Sequence, residues 1–386
     1  MRVIILLISL AVLLSGCMSE LSPETAEKTP ILEPGTETDN TTTSNHSETP
    51  AEPAEQTTPS RSPTPEQIPT QTTPASPATP LPATTTPTEE TITRQYNWTY
   101  NGKWSWELYL PKKVYEYYKE LPRLPIDYFS VYVTNPLDDK YIESLAMEIE
   151  DAGSKNNFND WETVNLAISF VQSLKYTSDN VTTPYDEYPR YPIETLVDRG
   201  GDCEDTSILT AAILDAMGYD VVLVQLPDHM AVGILGGEGV HGTYFQDGDK
   251  KYFYVETTGE GWEIGELPPQ YSGIENATIH HLKPIPVLYI DDWETGVKGD
   301  RIELTIKVSN IGSATAQNAY VYAGFDAGRG KVWNPEKTGE FDLRANQYLT
   351  ATMYLRPPKD KYTRLTIQVI DDGHAMDQSY STWFNT

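Results

Sequence analysis

Residues 18–95 are built mostly of Thr, Pro, Ser and Glu, and this stretch decides where a fold can form. It holds about half of the chain's 29 prolines and few large apolar side chains, among them Ile31, Leu32, Ile68 and Leu81. So little apolar surface cannot offset the entropy that ordering would remove. Its spread of prolines favours extended conformations, so we expect a disordered linker acting as a stalk. Folding is therefore expected from about Tyr96, where Tyr96, Trp98, Tyr100, Trp104 and Trp106 arrive together. The remaining ~290 residues are enough for two domains with substantial cores, expected at 96–284 and 285–386.

The first residues bear on the compartment. Arg2 precedes an apolar run from Val3 to Leu14 that is too short to span a bilayer, so residues 1–17 read as an export signal peptide. The run ends in Leu14-Ser15-Gly16-Cys17, which resembles the lipobox of bacterial and archaeal lipoproteins. That resemblance implies lipid attachment at Cys17 and a chain tethered to the extracytoplasmic face of the cell membrane. The net charge of -28 argues against a nucleic-acid partner, since phosphate neutralisation needs a basic surface. Sequons at Asn40, Asn45, Asn97, Asn180 and Asn276 permit glycosylation.

Within the folded part, spacing predicts helices over Asp139 to Ala152, Asp160 to Lys175 and Cys203 to about Met217. Asp160 is expected to cap the second, and Gly218 to stop the third. The period then shortens to that of strands, at Val221–Leu226, Met230–Leu235 and Lys251 to Val255. Helices followed by strands predict an α+β domain with an antiparallel sheet. Past Pro284, alternating runs at 301–308, Asn318 to Phe325, Gln347–Leu355 and Arg364 to Ile370 predict a small all-β sandwich. The stretch from Val308 to Tyr322 resembles the immunoglobulin-like adhesion modules of microbial surface proteins.

With Cys17 accounted for, Cys203 is the only other cysteine. A lone thiol in an exported chain is either buried filler or reactive. Its position at the first turn of a helix aims backbone N–H groups and the positive end of the helix dipole at the sulfur. Asp202, Glu204 and Asp205 act against this, because neighbouring negative charge raises a thiol's pKa. A working thiolate then needs an imidazolium. Of six histidines, His46 lies in the linker, His241 in a glycine-rich turn, His280 and His281 at the domain junction and His374 in the β-domain. His229 remains, opening a strand, and Glu256, ending the next aromatic strand, is the candidate to orient it. Zinc is disfavoured, because no second cysteine or spaced histidine pair accompanies Cys203.

Gly201-Asp202-Cys203-Glu204-Asp205, then a helix, then His229 and Glu256 in order, resembles the transglutaminase-like cysteine-protease superfamily, over about Tyr141 to Thr258. The resemblance implies a papain-like core, with Cys203 as nucleophile, His229 as general base and acid, and Glu256 orienting His229. It departs from the family pattern at the third member, which is more often Asp. It also implies calcium at acids flanking the cysteine, here Asp202 and Glu204, though helix capping explains both residues equally. The expected activity is hydrolysis of peptide or amide bonds in a peptide or protein substrate at the cell surface, with transamidation if an amine replaces water. The competing expectation is a non-catalytic adhesion protein that keeps the scaffold.

Overall fold

A computed structural model describes residues 90–125, 128–182, 187–237, 239–274 and 277–386, and these fall in one compact unit. The signal peptide, Cys17, nearly all of the linker, His46 and the sequons at Asn40, Asn45 and Asn276 lie outside the described residues. Among the described residues no helix is long and apolar enough to cross a membrane.

The chain opens with a hairpin of β1 (Thr91–Thr99) and β2 (Lys103–Pro111), which begins before Tyr96. Gly102 takes a positive φ in its turn. Alternation sends Tyr96, Trp98, Trp106 and Leu108 inward. Helices α1 (Lys112–Glu120), α2 (Phe129–Val133), α3 (Asp139–Lys155) and α4 (Asp160–Gln172) follow. The start of α4 corrects the expected cap. Asn159, not Asp160, is the N-cap: its side chain accepts from Glu162 N–H at 2.9 Å, and Glu162 accepts from Asn159 N–H at 2.8 Å. The helix also stops short of Lys175, which enters β3 (Lys175–Tyr176).

After α5 (Asp179–Thr182), residues 187–191 form a loop that leads into α6 (Pro192–Asp198), whose start suits Pro192 because its missing N–H costs nothing there. Tyr191 is buried and stacks on Tyr118 at 3.9 Å, so this end of the loop serves packing. Strand β4 (Gly200–Gly201) pairs in parallel with β3 and leads directly into α7 (Cys203–Ala216). Helix α7 is buried from Asp205 through Leu214, its polar first turn hydrogen-bonded and its later turns mostly apolar, and Gly218 follows it at positive φ.

The sheet that carries α7 contains β5 (Val221–Leu226), β6 (His229–Leu235), β7 (Tyr244–Asp247), β8 (Lys250–Val255) and β9 (Thr278–His281). They are antiparallel, in the spatial order β7-β8-β6-β5-β9. Strand alternation divides β5 between two cores: Val221 and Leu223 join the helices, while Val222, Val224 and Leu226 pack with Tyr252 and Tyr254 on the opposite face.

The C-terminal region is all strand: β10 (Leu288–Lys298), β11 (Arg301–Asn310), β12 (Ala316–Gly328), β13 (Lys331–Lys337), β14 (Phe341–Leu343), β15 (Gln347–Leu355), β16 (Tyr362–Thr363), β17 (Leu365–Asp371), β18 (His374–Tyr380) and β19 (Phe384–Asn385). Sheet β10-β11-β15 and sheet β13-β12-β17-β18 contribute to one further core, with Leu304 and Ile306 from the first and Val321, Phe325 and Ile367 from the second. Polar bonds join this region to the helices: Thr134 Oγ1 to Ser313 Oγ at 2.8 Å, and Asn346 Nδ2 to Asn135 Oδ1 at 2.8 Å. The fold is thus mixed α and β with mostly antiparallel sheets, as expected for α+β.

Candidate active site

The sequence places Cys203 one residue after a helix cap, and the structure explains why the chain turns so sharply there. Asp202 is the N-cap of α7 and forms a capping box with Asp205, whose carboxylate accepts from Asp202 N–H at 3.2 Å. A Cβ at Gly201 would strike the Asp205 side chain, and one at Gly200 would strike the Lys175 carbonyl. The two glycines let β4 lie against β3 and α7 at once, which presents the partly exposed Cys203 at the helix start.

His229 and Glu256 come from neighbouring strands. In the antiparallel register of β6 and β8, Val232 faces Val255. Continuing that ladder sets Glu256 opposite Ala231, on the same face as His229 and diagonal to it. The bond expected from sequence is present: His229 Nε2 lies 3.2 Å from Glu256 Oε2. That contact leaves Nδ1 as the imidazole nitrogen not bonded to Glu256. Cys203, His229 and Glu256 line one cleft of about 230 Å³, with Tyr176, Trp262 and Tyr271 among its walls. Tyr271 stacks on the His229 ring at 4.7 Å, with planes 10° apart.

Glu256 is held as an anion. Burial opposes its charge, yet hydrogen bonds outweigh burial and bring its pKa down to about 2. Oε2 accepts from Tyr254 Oη at 2.6 Å, while Oε1 accepts from Thr257 N–H at 3.1 Å, Thr258 N–H at 2.9 Å and Thr258 Oγ1 at 2.6 Å. The Glu256 side chain thus reaches His229 and is saturated with donors.

Sequence reasoning passed over the residues that lock these parts together. Thr257 Oγ1 meets Thr206 Oγ1 at 2.9 Å and Ser207 Oγ at 3.0 Å, tying the segment after β8 to the first turns of α7. Ser207 in turn donates to the Met230 carbonyl at 3.0 Å, next to His229. From α4, Gln172 Nε2 donates to the carbonyls of Glu256 at 2.9 Å and Trp262 at 3.0 Å, and its Oε1 accepts from Gly261 N–H at 3.2 Å. Buried polar residues on apolar elements were the available signal, since such groups persist only when bonded.

The acidic neighbours separate into two roles. Glu204 accepts a hydrogen bond from Cys203 Sγ at 2.8 Å. Burial and the Asp202 charge push Glu204 up to about 8, and burial together with Glu204 pushes the Cys203 thiol well above its ordinary value. Three other carboxylates, Asp179, Asp202 and Asp205, converge within 4.8 Å. Arg190, itself buried, ion-pairs with Asp179 at 2.9 Å and also with Asp205. Asp202, expected with Glu204 for calcium, belongs to both sets: it lies with Asp179 and Asp205 and also hydrogen-bonds the Glu204 carboxyl.

No protein-family model matches the chain, and no curated protein matches it. Solved structures give only distant likenesses. Red sea bream transglutaminase is 12% identical over 74% of this chain and 66% of its own, with a TM-score of 0.25. β-Glucosidase 3B from Thermotoga neapolitana, in complex with glucose, is 12% identical over 26% of this chain, with a TM-score of 0.18. This chain spans only 16% of that glucosidase. A DUF3823 family protein from Bacteroides ovatus is 13% identical over 40% of this chain and 73% of its own, with a TM-score of 0.20. At these scores the likenesses establish neither a shared activity nor a family; the transglutaminase is a weak structural neighbour and no more.

Proposed function

We propose that the chain is a thiol hydrolase of peptide or amide bonds, with a papain-like transglutaminase core, carried at the outer face of a membrane. The observation that supports it most is the His229 Nε2–Glu256 Oε2 contact of 3.2 Å beside a helix-start cysteine in one cleft. In this mechanism His229 Nδ1 takes the Cys203 proton, and Sγ attacks the substrate carbonyl carbon. N–H groups at the start of α7 receive the developing oxyanion. His229 returns the proton to the departing amine as the C–N bond breaks, leaving a thioester. Water then attacks with His229 again as base, releasing the acid and the Cys203 thiol; an amine in place of water gives transamidation.

Glu256 keeps the imidazole oriented and stabilises its protonated form. The surface location rests on residues 1–17 and Cys17, and the C-terminal strands are read as an immunoglobulin-like module that presents or positions the catalytic part. Calcium is not required in this reading, because Arg190 already supplies positive charge to the acids near Cys203. The test is iodoacetamide labelling of Cys203 across pH. His229→Ala should abolish the enhanced labelling at neutral pH; labelling unchanged by that substitution would falsify the triad.

One observation favours a second reading, a non-catalytic binding protein: the Cys203 thiol is engaged by Glu204. A Cys203→Ala protein that preserves every cellular phenotype would support it.

A further inference from the structure

In a chain of net charge -28, one large hollow is lined by Arg94, Lys119, Lys175, Arg190 and Arg199 against a single acid, Asp198. It measures about 800 Å³, within the range of ligand pockets. Two of the five cations are already committed: Lys119 pairs with Asp198 at 3.1 Å, and Arg190 serves Asp179 and Asp205. Arg94, Lys175 and Arg199 make no ion pair with any described carboxylate. Arg94 is nonetheless fixed, since its Nε donates to the Val197 carbonyl at 2.6 Å and its Nη1 to the Thr93 carbonyl at 3.1 Å. Arg199, in the left-handed conformation that ends α6, lines the same hollow. The unspent guanidinium edges and the Lys175 ammonium form a site for an anion, and guanidinium is suited to bidentate capture of a carboxylate.

The hollow and the cleft of Cys203 lie on opposite sides of β3. Lys175 and Thr177 line the hollow, while Tyr176 between them lines the cleft, as alternation along an extended segment requires. On the paired strand, Gly200 and Gly201 line the hollow, and Cys203, two residues on, lines the cleft. The cleft has the opposite character: Asp228 and Glu256 are among its walls, and no Lys or Arg is. Resting on the hydrolase reading, we infer that the basic hollow is the subsite for an acidic peptide substrate. A Glu or Asp side chain, or a terminal carboxylate, would reach it around the free edge of β3, roughly three or four residues from the amide held over Cys203.

The test uses binding, so that it does not depend on turnover. Full-length Cys203→Ala protein is titrated with fluorescent peptide pairs identical except for Glu or Gln three or four residues from a central amide. The Glu peptide should bind roughly tenfold more tightly than its Gln twin, with an advantage that shrinks as salt rises. Adding Lys175→Met and Arg199→Met should erase that advantage and leave the Gln peptide's affinity unchanged. Equal affinity of the twins, absence of any binding by the Glu peptide, or a preference surviving the double substitution overturns the subsite. If the preference holds while Cys203 of the native protein proves unreactive, the hydrolase reading falls and the subsite stands. If the native protein instead cleaves peptides without regard to their charge, the subsite falls and the hydrolase reading stands.

Discussion

At Cys203 an acid and an imidazole act on the thiol in opposite senses, and pH should separate their effects. Glu204, with a pKa raised to about 8, is mostly uncharged at neutrality and becomes an anion beside the sulfur only above that value. Glu204→Gln should therefore leave Cys203 labelling nearly unchanged below pH 7, and speed it by roughly tenfold near pH 9, where the native carboxylate opposes the thiolate. A uniform acceleration at all pH values would count against this role. Glu256 has the opposite sign. Its depressed pKa contributes stability above the ordinary value of 4.5, and that contribution is lost as pH falls toward about 2. Acid-unfolding curves of Glu256→Gln should accordingly flatten across that window. That Cys203, His229 and Glu256 share one cleft was legible because the lone thiol starts a helix, elimination leaves one histidine, and the acid follows the next strand. Gln172, Thr206 and Thr257 were not, because a polar residue on an apolar element reveals its partner only in three dimensions.

The elements around the site are held by caps and hydroxyl contacts whose loss can be measured one at a time. Thr257→Val removes the hydroxyl that joins Thr206 and Ser207, and should cost about 1–2 kcal/mol in urea unfolding while slowing Cys203 labelling. A variant with native stability would mean the hydroxyls find other partners. Asn159→Ala should cost about 1 kcal/mol, while Asp160→Ala costs less, because Asn159 and not Asp160 caps α4. That error of one residue came from reading the first acid before the apolar run as the cap. Strands β5, β6 and β8 were legible within a residue, since β-branched and aromatic runs bounded by turns leave few choices. Helix α6 was not legible, because seven residues are too few to show a helical period. The parallel pairing of β3 with β4 was not legible either, because its register, Lys175 with Gly200, joins two-residue segments across two intervening helices.

Taken whole, the described residues hold separate apolar cores joined by polar contacts such as Thr134–Ser313 and Asn135–Asn346. Cores linked this way uncouple readily. Calorimetry should show a van't Hoff enthalpy below the calorimetric one, and Asn346→Ala should widen the separation without changing Cys203 labelling. A single two-state transition in that variant would rule this out. The change from mixed helix and strand to strands alone near Pro284 was readable from periodicity, whereas the polar seam between them was not.

The N-terminal hairpin also gives the molecule an optical property. Trp98 lies 5.9 Å from Trp104 and 5.0 Å from Trp106, and 5.2 Å from Phe170 of α4. Indole rings this close exchange excitation, so they should absorb and emit as one coupled chromophore. Its circular-dichroism couplet will report whether the hairpin is seated on the helix that carries Gln172, and through it the loop of Glu256. Trp262, on the cleft wall, supplies a second signal when a substrate arrives.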